Sequence, residues 1–170
     1  MTLPWPTTVV QGKSLALELL RDLGEALAMA KYMKFIAPFL GVRSTPRRLA
    51  LRDQCQGLDT PSSDELGDAC VALMAKEERE YHYEAYALIE RYVDVTDKYF
   101  LAEYVEDLVT TKPWWDTVDG PGTTAVSPLC WRYDATEFVL SWSSSKTCGS
   151  SAPRFNISAH GRRTPTSISY

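Results

Sequence analysis

The chain has 170 residues, 45% of them hydrophobic and 24% charged, which suits one domain with a sizeable core and excludes a wholly disordered polypeptide. No apolar run approaches the roughly 20 residues that span a bilayer, and Met1–Val10 lacks the basic and apolar regions of a secretory signal, so no membrane partner is expected. The net charge of −4 speaks against a uniformly nucleic-acid-coating protein, although local potential governs phosphate contact more than total charge does.

Residues 1–13 read as an N-terminal extension. Leu15, Leu19, Leu20, Leu23 and Leu27 then recur at helical spacing, predicting a helix from an N-cap at Ser14 to Ala30. A second helix is expected over Lys31–Leu40, ending at Gly41, and Pro46 suits the first turn of a third that carries Arg47 to Arg52. The stretch Ala26–Arg52 holds no acidic residue but contains Lys31, Lys34, Arg43, Arg47, Arg48 and Arg52. Such segregation permits one positive face on an acidic protein. Asp59-Thr-Pro-Ser-Ser-Asp64 is a loop by its turn chemistry. Glu65–Tyr92 is helical by its apolar spacing, and a further amphipathic helix carries Phe100, Leu101, Tyr104, Leu108 and Val109. Period-two alternation is absent before Val109, so the class is all-α, as a bundle or a stacked helical-repeat solenoid.

The cysteines Cys55, Cys70, Cys130 and Cys148 form no paired motif with each other or with His82 and His160. They are expected to be free thiols in a reducing, cytoplasmic setting, with no metal site and no cofactor.

Two segments narrow the choice. One is Met29-Ala-Lys-Tyr-Met-Lys-Phe-Ile-Ala-Pro-Phe-Leu-Gly-Val42 followed by Pro46-Arg-Arg48, and the other is Thr111-Lys-Pro-Trp-Trp-Asp-Thr-Val-Asp119. Together with Glu77-Glu-Arg-Glu-Tyr-His-Tyr-Glu-Ala85 between them, they resemble the AlkD-like DNA alkylation repair glycosylases built from HEAT-like helical repeats. The resemblance implies a curved α-solenoid over residues 14–145 whose concave basic face cradles duplex DNA, and removal of N3- and N7-alkylated purines by hydrolysis of the N-glycosidic bond. It implies that Asp119 is the catalytic carboxylate and Trp115 an aromatic wall beside the lesion. Tyr32, Lys34, Arg43, Arg47 and Arg48 are the expected DNA contacts, and the protein is expected to act as a monomer. Trp114 is read as core and Asp116 as a first-turn acid suited to a helix N-terminus.

Departures from the resemblance lie toward the C-terminus. Gly120-Pro121-Gly122 follows the second motif where a helix is expected to continue, and Lys146–Tyr170 is rich in serine with no helical stripe. Shifting the reading frame at Lys146 lets the codons of Lys146-Thr-Cys-Gly-Ser150 spell Asp-Met-Trp-Leu, which resembles a family helix missing in frame. Residues 146–170 are therefore expected to be an irregular, out-of-frame tail after a solenoid incomplete at its C-terminus. The alternative is a catalytically inactive helical-repeat fragment that binds DNA or protein.

Overall fold

A computed structural model describes residues 3–105, 108 and 127–133. Every regular element among the described residues is helical. The principal helices are α1 (Trp5–Leu19), α2 (Leu23–Tyr32), α3 (Ser44–Gln54), α4 (Ser63–Met74) and α5 (Arg79–Tyr92). A 3-10 turn at Val93–Val95 leads into the short α6 (Lys98–Phe100), which runs directly into a π-helical turn over Leu101–Val105. A last short helix, α7, covers Ser127–Tyr133. The all-α expectation holds, and short connections between packed helices agree with a helical-repeat stack.

Helix α1 starts ten residues earlier than the leucine stripe suggested, with Pro4 rather than Ser14 as N-cap and Pro6 in its first turn, where a missing N–H costs nothing. Ser14 is therefore not a cap. It sits mid-helix, and its Oγ donates to the Val10 carbonyl at 2.8 Å. Residues 5–13 belong to the helix, and Val9 and Lys13 are buried in it together with Leu17. The expected single helix from Ser14 to Ala30 breaks at Leu20–Asp22, because the Asp22 carboxylate accepts from Gly24 N (2.9 Å) and Glu25 N (3.0 Å) and starts α2. The leucine stripe is also reassigned: Leu15, Leu19, Leu23 and Leu27 are exposed. The core face of α1 is the row Val9, Lys13, Leu17, fixed by packing on α3 and α4.

The second expected helix, over Lys31–Leu40, ends at Tyr32 instead. Phe35 N donates to the Ala30 carbonyl (2.7 Å) and Lys34 N to the Lys31 carbonyl (3.1 Å), the double bond pattern of a Schellman stop. Lys34 and Phe35 both hold φ at 56°. Pro38 then keeps the chain out of helix, since its ring disfavours the α region for the residue before it.

Ser62 and Glu65 form the capping box that begins α4, with Ser62 N to Glu65 Oε2 at 2.9 Å and Glu65 N to Ser62 Oγ at 3.2 Å. The expected Glu65–Tyr92 run is two helices, α4 and α5, packed on each other and separated by a turn at 75–78. Leu66, Leu73, Leu88 and Ile89 are completely buried there, each side chain stabilising by roughly 1.5–3 kcal/mol. Gly67 allows the Tyr104 ring to lie against α4; a Cβ would collide with it. Phe100, Leu101, Val105 and Leu108 extend the same core, while Val109 lies outside the described residues. Helix α7 attaches through Arg132, which donates to Asp94 Oδ1 at 2.7 Å and to the Val93 carbonyl at 3.2 Å.

Candidate nucleic-acid interface

The end of α2, the loop after it and the start of α3 carry the acid-free segment. The Schellman stop leaves Tyr32 81% exposed, with Lys34 exposed two residues on. What shapes the following loop is a carboxylate from elsewhere in the chain. Glu80, buried in the first turn of α5, accepts from Leu40 N (2.9 Å), Gly41 N (2.9 Å) and Val42 N (3.1 Å). Gly41 holds φ at 87°, and a Cβ there would overlap the Asp22 carbonyl oxygen and the Ala26 nitrogen. Asp22 N donates to the Leu40 carbonyl at 3.0 Å, and Arg79 N to the Pro38 carbonyl at 3.1 Å. The loop is thus clamped at one end by the α1–α2 turn and at the other by α5.

Clamping aims the chain into α3. Arg43 is its N-cap residue, no side chain among the described residues caps it, and its first turn holds no acidic residue. Backbone N–H groups and the positive end of the helix dipole there favour an anion. Arg43 reaches back to Glu25 at 2.8 Å, with side chains 69% and 36% exposed. The hydrogen bond to Glu25 raises the Arg43 pKa above its ordinary value. Exposed pairs of this kind are weak and screened by salt, so the guanidinium is exchangeable onto another anion.

The two adjacent arginines part company. Successive residues on an α-helix point about 100° apart, and that angle sends Arg47 inward and Arg48 outward. Arg47 Nη1 donates to Glu84 Oε1 at 3.2 Å, its guanidinium lies 5.0 Å from the Tyr83 ring centroid, and its side chain is 12% exposed. Arg48 is exposed. Its neighbours are on the α3–α5 side.

Tyr32, Arg43 and Arg47 line one cleft of about 300 Å³, together with Tyr83, Phe39 and Met29 among others. Three of the five expected contacts therefore converge, Lys34 sits on the turn after Tyr32, and Arg48 faces a separate groove. Asp119 and Trp115 lie outside the described residues, as do Trp114 and Asp116. Glu80, Tyr83 and Glu84 were not picked out as site residues from the sequence. Their signal was the 77–85 segment itself, where charged and aromatic residues share one helix and Arg79, Glu80, His82 and Glu84 are all buried. His82 Nε2 contacts the Lys76 carbonyl at 2.9 Å and Arg79 Nη1 contacts His82 Nδ1 at 3.3 Å. Because a carbonyl only accepts and a guanidinium only donates, the ring carries its proton on Nε2.

Cations beside aromatic rings, on a helix start free of acids, suit a phosphate backbone with its attached sugars and bases. The family described as DNA alkylation repair enzyme matches the chain over residues 14–148. None of the curated proteins matches it.

Proposed function

This chain belongs to the DNA alkylation repair enzyme family, and on that premise we propose that it hydrolyses the N-glycosidic bond of N3- or N7-alkylated purines in duplex DNA. The observation that carries the DNA-contacting part is the convergence of Tyr32, Arg43 and Arg47 on one cleft beside the uncapped start of α3. Among the described residues no helix is long and apolar enough to cross a membrane. Cys55 and Cys70 are free and buried, and a monomer acting in the cytoplasm fits the reading.

The chemistry needs no cofactor. Alkylation at N3 or N7 puts a positive charge on the purine, so the base leaves neutral without a general acid. Positive charge then grows on the sugar, where a fixed carboxylate stabilises it. We assign that carboxylate to Asp119, which also orients the attacking water, and the neighbouring aromatic wall to Trp115, four residues before it in the sequence. Tyr32, Lys34, Arg43 and Arg48 hold the backbone, and Arg47 lines the cleft as a cation fixed by Glu84.

Release of alkylated purine from a methylated duplex tests the reading. Asp119→Asn keeps the shape but removes the charge and is expected to lose about 10²- to 10³-fold in rate, whereas Asp116→Asn stays near the parent. A parent that binds duplex but releases no base would leave only the DNA-binding part standing. The exposed leucines of α1 and α2 favour a second reading, a helical stack that binds protein; binding to duplex that weakens steeply with salt argues against it.

A further inference from the structure

Helix α3 has a second basic edge, turned away from the cleft. Arg48 and Arg52 are four residues apart, hence on one face and about 6 Å apart along the axis. Across from them on α5 stands Arg91. The three guanidiniums, with Leu51, Ala87 and Glu90, line a groove of about 490 Å³ between α3 and α5. We propose that this groove is a line of contact with the phosphate backbone of duplex DNA, made by Arg48, Arg52 and Arg91. The proposal rests on the reading that the chain works on duplex DNA and extends the contact surface beyond the cleft at Tyr32.

Charge and exposure carry it. Among the residues lining the groove three are cations and one, Glu90, is an acid, with Asp53 beside Arg52 as a second acid at its edge, in a protein whose net charge is −4. Arg48, Arg52 and Arg91 are all exposed, so none has lost its hydration to the core. Among the described residues Arg52 pairs with its neighbour Asp53, at 3.3 Å with side chains 63% and 60% exposed, a pair that water and salt readily loosen. Arg91 lies with its guanidinium 5.5 Å from the Tyr92 ring centroid, which holds its plane while leaving it at the surface. A row of guanidiniums running along one helix and across to the next matches an extended polyanion better than a single small anion. Because α3 also supplies Arg43 and Arg47 to the cleft, the helix stands between two cationic surfaces.

The test is the salt dependence of binding to an unmodified duplex. Each lost phosphate contact lowers the slope of log affinity against log salt by about 0.9, so Arg52→Gln/Arg91→Gln is expected to lower it by about 1.8. Arg52→Lys/Arg91→Lys keeps the charge and should keep the slope. The slope does not depend on the fraction of protein folded, provided that fraction is unchanged by salt, so mild destabilisation leaves the comparison intact. A glutamine double variant with the parental slope overturns this inference alone, if the parent binds duplex and Arg43→Gln weakens it. A parent without affinity for duplex overturns the proposed function as well. Inorganic phosphate, added at constant ionic strength, separates the remaining source. Competition that needs Arg52 and Arg91 at low phosphate would assign the groove to a free anion and overturn the commitment to duplex.

Discussion

Lys13 Nζ lies 3.0 Å from Glu84 Oε2 with both side chains 1% exposed, and the other oxygen of the same carboxylate accepts from Arg47 at 3.2 Å. One carboxylate on α5 therefore joins α1 and α3. Among the described residues Lys13 Nζ finds no hydrogen bond of good geometry, so Coulomb attraction is what holds it. Its desolvation is offset only while Glu84 remains charged.

Glu84→Ala is expected to destabilise by about 3–5 kcal/mol, the range for breaking a buried pair by removing one partner. Lys13→Met leaves Glu84 paired with Arg47 and should lose less. Lys13→Met/Glu84→Leu should recover most of the loss, because Arg47 keeps a path to water. Urea midpoints at an unchanged m-value measure all three. A Glu84→Ala protein within about 1 kcal/mol of the parent would show that the pair contributes little.

Gly41 joins the clamped loop to the α1–α2 turn, and its substitution is the sharpest test of that clamp. Alanine there meets both the positive φ of 87° and the Asp22 carbonyl. Gly41→Ala should destabilise by more than about 1 kcal/mol, beyond the penalty of the backbone angle alone. It should also speed hydrogen exchange at Leu40, Gly41 and Val42, whose N–H groups are held by Glu80. Unchanged exchange at those three amides would mean that Glu80 is not what orders the loop.

Local chemistry made part of this legible in advance. Pro46 in the first turn of α3 and the loop that opens at Asp59 are decided by neighbours a few residues away and stand as read, except that the loop ends at Ser62, where a capping box with Glu65 that the sequence reading did not single out starts α4. Tyr32 and the arginines of the cleft were visible as an acid-free run. The leucine stripe misled because burial depends on what packs against a helix: α1 turns Lys13 inward to a carboxylate on α5, leaving Leu15 and Leu19 outside. The helix over Lys31–Leu40 was read too long because no glycine marks its stop; Lys34 takes the left-handed angle that glycine usually takes. Arg47 and Arg48 looked equivalent in sequence; the turn of about 100° between them on α3 brings one to Glu84 and Tyr83 and leaves the other in solvent.

Alkaline pH should weaken the fold through Tyr81. Burial, reinforced by Glu18 and Glu78, pushes its pKa from 10.0 up to about 12. The unfolded chain therefore releases this proton near pH 10 while the folded protein keeps it until near pH 12. Stability is complete below the lower value and falls as pH rises through the window. Tyr81→Phe should flatten that fall, and the tyrosinate absorbance lost in the variant should belong to a component titrating above the ordinary tyrosine value. A Tyr81→Phe protein with the parental alkaline slope would assign the loss to other groups.

Lys34 combines two properties that substitution can separate. It occupies the left-handed position of the Schellman stop with φ at 56°, which strains a residue with a Cβ by roughly 1–2 kcal/mol. It is also exposed beside Tyr32, and strain retained at such a position points to use. Lys34→Gly relieves the angle and removes the cation. Stability should rise by about 1 kcal/mol, less than the full relief because the unfolded chain gains freedom. Duplex affinity should fall, with the salt slope reduced by about 0.9. Lys34→Ala serves as the control, since it removes the charge but keeps the strain, so its affinity should fall without the gain in stability. A less stable glycine variant would show that the turn is not strained at Lys34. A more stable one that binds duplex as the parent does would remove Lys34 from the interface and leave its backbone angle as a feature of the α2 stop alone.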